Sequence, residues 1–390
     1  MVNSIQIGSP RIEFDDDHAM LIADVRMNDK AHHLWFKVAR EYAEYLTPER
    51  SDAFVVGLLF EAIHRGLDIT CESPLTDRLR YQINNALLDF LVSIYPEKHY
   101  RVIQLHAPVT SETLPTGFAN GTGISCGIDS LAAIARQSHK MHPGMGVTHL
   151  CFFDTGSHDQ DEHPESKQLY KLRRAHVLAY CTEAGLPCVE VSSNLSEFYT
   201  LPFGITHTYR NAAPVLALQK LFANYYYASA YTTESFLDHT DDPAYFEIFL
   251  LPMISTRNTI FYSCESTVSR LEKTRIVAQH KLAERYLNVC NSAGNNCGRC
   301  NKCVRTLLAL DIIGCINRFD QVFDLPAYHA NLESHLVYHC CQVLRGDTCQ
   351  LEIDPYLRDR LTIRIRVLGL LRFMKMKMKA HLERIVNRVS

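Results

Sequence analysis

The chain contains no stretch of uncharged apolar residues approaching the roughly 18 that a membrane-crossing helix needs, which excludes a spanning segment. Its first residues, MVNSIQIGSPRIEF, lack the basic start, apolar run and small-residue cleavage site of a secretory leader, so the expectation is a cytoplasmic protein. No internal repeat or low-complexity block is present, which removes repeat architectures. Charge of one sign is lacking too. The 40 Lys and Arg stand against 43 Asp and Glu, and a net −3 gives no global pull toward nucleic acid.

What is present fits a soluble globular enzyme. The 390 residues, 47% apolar and 21% charged, are enough for two or three domains with a sizeable core. The 14 cysteines do not form a disulfide framework in a reducing cytosol, so metal binding or buried packing must explain them.

Residues 1–112 alternate short β-like runs (MLIADVRM, HHLWFKV) with helical patterns (SDAFVVGLLFEAIHRG, LTDRLRYQINNALLDFLVSIY) and read as an α+β domain of unknown role. TSETLPTGFANG leads out of it as a linker or loop. Over 113–285 the rhythm becomes strand, loop, helix, which predicts an α/β core of parallel strands with helices on both faces and a ligand crevice outside the carboxyl ends of the strands. Residues 286–325 hold a cysteine cluster and a following helix, and 326–390 a mainly helical, basic C-terminal region.

The first crevice loop is GTGISCGIDSLAAIARQ, residues 121–137. Small residues let successive N–H groups of Cys126, Gly127, Ile128, Asp129 and Ser130 point at an anion, and the helix starting near Ser130 adds its positive end. The Ser125 and Ser130 hydroxyls add donors, and Asp129 can hold a magnesium ion against phosphate. No Lys follows as in G-x-x-x-x-G-K-[ST], and the loop is not a G-x-G-x-x-G fingerprint. Cys126 reads as a small residue accommodated in the loop. The competing reading is a thiolate activated by the helix end.

VCNSAGNNCGRCNKCVRTLLAL sets Cys290, Cys297, Cys300 and Cys303 at C-x6-C-x2-C-x2-C. Four thiolates on a tight knuckle fill the tetrahedral shell of a structural zinc ion; an iron–sulfur cluster would also accept them.

SCGIDS resembles the S-G-G-x-D-S signature of the PP-loop ATP pyrophosphatases, the adenine nucleotide alpha hydrolase-like superfamily, departing from it at Cys126. A PP-loop core ending in such a knuckle is similar to the 7-cyano-7-deazaguanine synthases, over roughly residues 118–310. The resemblance implies a HUP/Rossmann-like core built on a parallel five-stranded sheet. It implies ATP cleaved to AMP and pyrophosphate, with Asp129, Ser125 and Ser130 in the catalytic loop. The segment SRLEKTRIVAQ implies Arg270 and Lys273 facing the phosphates.

Other residues carry weaker signals. FFDTGSHDQDEH ends the second core strand, making Asp154 a candidate adenosine contact, with Phe152 and Phe153 ordinarily core. His158, Asp159, Asp161, Glu162 and His163 read as a solvated acidic loop rather than a metal cluster. Arg210, after FGITHTY, and Arg257, in STRNT, are candidate substrate contacts. From Arg358 onward ten Lys and Arg face only Asp359 and Glu383, a tail read as a solvated face on a packed element, with an acidic partner, RNA or an anionic membrane as ligand classes it could take. Its two-residue alternation leaves helix and strand undecided.

The expectation is an ATP-dependent ligase or synthase that adenylates a small-molecule carboxylate, a 7-carboxy-7-deazaguanine-like compound, for attack by ammonia or by an amine, including that of a partner protein. Its cofactors would be ATP, Mg2+ and Zn2+, and a homo-oligomer is compatible with it. Rival readings are a PP-loop sugar amidotransferase, a thiolating enzyme using Cys126 or the Cys340–Cys341 pair, and a non-catalytic nucleotide-sensing or RNA-binding protein. Nucleic acid is the less favoured partner.

Overall fold

A computed structural model describes residues 4–27, 30–115, 117–138, 143–157, 164–236, 241–291 and 294–389. The chain divides into two compact units, one comprising Met1–Ser125 and Arg136–Thr267, the other Cys126–Ala135 and Val268–Ser390.

The first unit is built on strands β1 (Ser4–Ile7), β2 (Arg11–Phe14), β3 (His18–Met27), β4 (Lys30–Ala39), β5 (Asp68–Cys71), β6 (Leu75–Thr76), β7 (Leu105–His106), β8 (Val109–Thr110), β9 (Ala119–Gly123), β10 (His149–Asp154), β11 (Cys188–Ser193), β12 (Phe222–Ala228) and β13 (Ile260–Cys264). Eleven of them form one sheet in the order β13-β12-β9-β10-β11-β4-β3-β1-β5-β7, with β2 beside β3; β6 and β8 pair separately. The expected five-stranded parallel sheet is therefore corrected. Strands β13, β12, β9, β10 and β11 are parallel to one another, but β4 adds antiparallel to β11 and carries the N-terminal strands into the same mixed sheet. The join has a physical basis: besides the Ser192↔Lys37 and Ser193↔Phe36 ladder, Ser193 Oγ donates to the Trp35 carbonyl at 2.6 Å and Asn194 Nδ2 to that of His33 at 2.8 Å.

Strand sequences rich in aromatic and β-branched residues, such as HLCFFD, CVEVSS and FANYYYA, favour extended backbone, and β11 alternates buried with half-buried positions as a pleat requires. YRVIQLHAPV, which reads as one strand, supplies only the short β7 and β8. Helix Asp52–Arg65 is apolar nearly all round, and its residues 52–63 are buried against helix Phe203–Ala217 and the rest of the apolar core. Two acids on it are buried with it. Glu61 accepts from the Thr200 N–H at 3.1 Å and hydroxyl at 2.9 Å, and Asp52 from the Thr76 N–H at 2.9 Å and Gln219 Nε2 at 3.0 Å.

The second unit is helical. The loop-helix Ile128–Arg136 buries Ile128, Leu131, Ala132 and Ala133, while helices Arg270–Gln279, Asn301–Ile312, Leu332–Leu344 and Thr348–Leu357 pack on one another. The tail is one helix, Ile363–Val389, which settles the alternation in favour of helix. It crosses Leu332–Leu344 closely, since a Cβ at Gly369 would stand 2.5 Å from Cys340 Cβ. No described helix is long and apolar enough to cross a membrane.

Candidate functional site

In the second unit, three predicted residues come together. Asp129 lies in the first turn of helix Ile128–Arg136. Arg270 and Lys273 lie one turn apart on the helix that Ser269 caps by accepting from the Glu272 N–H at 3.3 Å. Arg270 Nη2 is 2.9 Å from Asp129 Oδ2, and Lys273 Nζ is 3.4 Å from Oδ1. The Lys273 side chain is only 1% exposed, so its ammonium has been stripped of water and needs anionic neighbours. Burial pulls the Arg270 pKa down, but Asp129 and Cys349 outweigh it and hold the guanidinium above its ordinary value. Two cations thus meet one carboxylate in the first turn of a helix, with the Glu352 carboxylate accepting from the Leu271 N–H at 3.0 Å at the start of theirs.

The loop itself turns at Cys126, which is buried and adopts φ 58°, the left-handed region. Its carbonyl accepts from the Asn288 N–H at 2.8 Å, which fixes the turn. Gly127 follows half-buried, its carbonyl accepting from the Ser130 hydroxyl at 3.2 Å and the Leu131 N–H at 3.0 Å as the helix begins. Ser125, in the first unit, is exposed just past β9.

The first unit gathers a different set at the carboxyl ends of β10 and β12. Asp154 ends β10, and the loop behind it turns at Gly156 with φ 105°. A side chain there would be strained at this φ and would displace the Arg210 guanidinium, since a Cβ would lie 1.7 Å from its Nη2. Arg210 is 3% exposed, and its guanidinium stands 5.1 Å from the ring centroids of both Tyr199 and Phe203. Phe152 stacks on Tyr170 and Phe153 on Tyr225, so both phenylalanines are packing residues. Arg257 is held elsewhere, in a bidentate pair with Asp77 at 2.6 Å for each bond. His158, Asp159, Asp161, Glu162 and His163 lie outside the described residues.

Sequence reasoning missed a chain of polar groups beside Arg210. Tyr227 Oη lies 2.9 Å from His207 Nδ1, and His207 Nε2 lies 3.1 Å from Asp242 Oδ1. Asn211 Nδ2 reaches Tyr227 Oη at 3.5 Å, and its Oδ1 accepts from the Thr155 hydroxyl at 3.3 Å. Burial pushes the Tyr227 phenol pKa up, so the phenol keeps its proton. The one sequence signal was His207 four residues before Asn211, a helical spacing that sets both on one face of their helix.

The four predicted cysteines also converge. All four Sγ atoms of Cys290, Cys297, Cys300 and Cys303 lie within 4.8 Å of one another, with Cys297–Cys303 and Cys300–Cys290 at 4.0 Å. Thiolates on a tetrahedral zinc at about 2.3 Å stand about 3.8 Å apart, so the cluster could hold a metal such as zinc with little movement. The Cys300 N–H points to Cys297 Sγ at 3.4 Å and the Cys303 N–H to Cys300 Sγ at 3.5 Å, bonds that stabilise thiolates. Burial first, then the neighbouring sulfurs, pushes the Cys303 thiol up, and a cation would reverse that. No family model, curated protein or solved structure matches this chain, so the site stands on its own geometry.

Proposed function

We propose that the protein is an adenylate-forming enzyme of the PP-loop pyrophosphatase type, which cleaves ATP to AMP and pyrophosphate while activating a carboxylate for attack by ammonia or an amine. The observation that carries this reading is the pairing of Asp129 with Arg270 and the buried Lys273 at the start of the helix that follows SCGIDS. Arg270, Lys273 and the backbone amides from Gly127 to Ser130 would take the pyrophosphate oxygens, stabilising the charge that builds on the leaving group. Magnesium, when bound, supplies further charge neutralisation, with Asp129 the residue to hold it.

The substrate carboxylate attacks the α-phosphorus and the bond to the bridging oxygen breaks, giving an acyl adenylate and pyrophosphate. The amine then attacks the acyl carbon, AMP leaves, and one proton is released. No protein nucleophile is required. Taken by itself, the first unit offers one group of suitable chemistry, the buried guanidinium of Arg210, which suits a carboxylate. The 7-carboxy-7-deazaguanine class is the first substrate to test, because the knuckle after the core resembles that family's. The cysteine cluster then serves as a closed structural zinc site.

The test is pyrophosphate release from ATP and magnesium, with and without 7-carboxy-7-deazaguanine, in wild type and Asp129→Ala. Substrate-dependent release that falls by at least about a hundredfold in the variant is expected. Release that is unchanged in Asp129→Ala refutes the assignment of the loop.

A further inference from the structure

The C-terminal helix shows two apolar faces, and only one is packed. Leu361, just before it, and Ile365 and Gly369 on it are buried at a spacing of four, Met376 Sδ lies 3.7 Å from Cys341 Sγ, and the Arg372 guanidinium stands 4.7 Å from the Tyr338 ring centroid. Those contacts fix the inward face. Ile363, Val367, Leu370, Leu371, Met374 and Met378 recur at helical spacing and are 82%, 49%, 45%, 55%, 52% and 62% exposed. At 100° per residue they fill an arc of roughly 100° opposite the packed stripe and run for about 22 Å.

Cations line both margins of this crest. Arg366 and Lys377 fall on one side by helical position, Arg364 and Lys375 on the other, and all four are exposed. Arg364 pairs with Glu333 at 3.2 Å, a contact open to solvent on both partners. From Arg360 to Leu382 there is no Asp or Glu at all, although the chain as a whole carries a net −3. A second copy of the helix would set like charges against each other, which excludes self-pairing along this face. Single exposed apolar residues are ordinary, whereas a continuous ridge of six is not.

We propose that this crest docks the protein on an anionic lipid bilayer. A convex apolar ridge flanked along its length by Lys and Arg fits a flat, deformable surface: the apolar crest enters the acyl boundary while the cationic heads reach the phosphates beside it. A protein partner would need an acid-rimmed groove of matching length, and flexible methionines suit a fluid surface equally well. The helix meanwhile keeps its opposite face on Leu332–Leu344, so docking requires no unfolding.

The experiment is co-sedimentation of the full-length protein with vesicles of phosphatidylcholine alone or with about a third phosphatidylglycerol. Wild type should bind the anionic vesicles at least tenfold more tightly than the neutral ones and lose most of that binding in molar salt. Leu371→Asp with Met374→Asp should reduce it tenfold or more, as should Lys375→Glu with Lys377→Glu, with thermal unfolding midpoints matching wild type. No binding to anionic vesicles overturns the proposal, and so does binding that both double variants retain. Binding of single-stranded RNA that the Lys pair controls and the apolar pair does not, without vesicle binding, overturns it in favour of a plain polyanion site.

Discussion

Cys126 occupies a backbone conformation that costs an L-residue about 1–2 kcal/mol, at the position where the S-G-G-x-D-S signature that the loop resembles has glycine. Its buried side chain offsets part of that strain. Cys126→Gly should therefore fold with a stability within about 1 kcal/mol of wild type and keep the proposed pyrophosphate release, while Cys126→Val should lose about 2 kcal/mol or more, because a β-branched residue cannot adopt this φ. Urea unfolding of both variants reads this directly, and turnover by Cys126→Gly would also dispose of a thiol nucleophile. Asp52 gives the pH dependence. Burial, the largest cause, raises its pKa above the ordinary 3.8 despite the bonds from Thr76 and Gln219. The unfolded chain thus loses this proton first as pH rises. The contribution of Asp52 is whole below about 3.8 and is lost as pH climbs through the folded-state value. Asp52→Asn should flatten the decline of unfolding free energy as pH rises above about 4, and a decline as steep as in wild type would overturn the assignment.

At the scale of elements, what could be read from sequence depended on distance along the chain. The knuckle was fully legible, because four ligands within fourteen residues can reach one ion only by the local turn their spacing encodes. Zinc near one equivalent per chain is expected by elemental analysis of freshly purified protein. Stripping it with a strong chelator should lower the unfolding midpoint by at least about 5 °C, and less than half an equivalent would count against the site. Asp129 with Lys273 was legible only through a resemblance, since nothing local links residues 144 positions apart. The Tyr227–His207–Asp242 chain was not legible: a strand, a helix and a loop bring it together, and each residue alone looks like ordinary packing. The tail was legible in part: the region read as mainly helical, with its alternating stretch left between helix and strand. The FMKMKMKA alternation alone fits a strand as well, and the close approach of Gly369 to Leu332–Leu344 goes with the helix.

For the whole molecule, the alternation of strands and helices revealed the parallel region, but composition could not tell that β4 would lie along β11. Strand pairing between distant segments leaves no periodic trace beyond the extended pattern of each strand. That pairing also governs how the protein is made. Trp35 and Ser193, bonded across the join, are 158 residues apart. At ribosomal speeds of about 5–20 residues per second, the edge of β4 waits roughly 10–30 s for its neighbour. During that interval it presents an unpaired row of backbone donors and acceptors. The nascent chain is therefore most exposed to wrong pairing while its first strands are already complete, and a slow or paused ribosome between them lengthens that hazard in direct proportion.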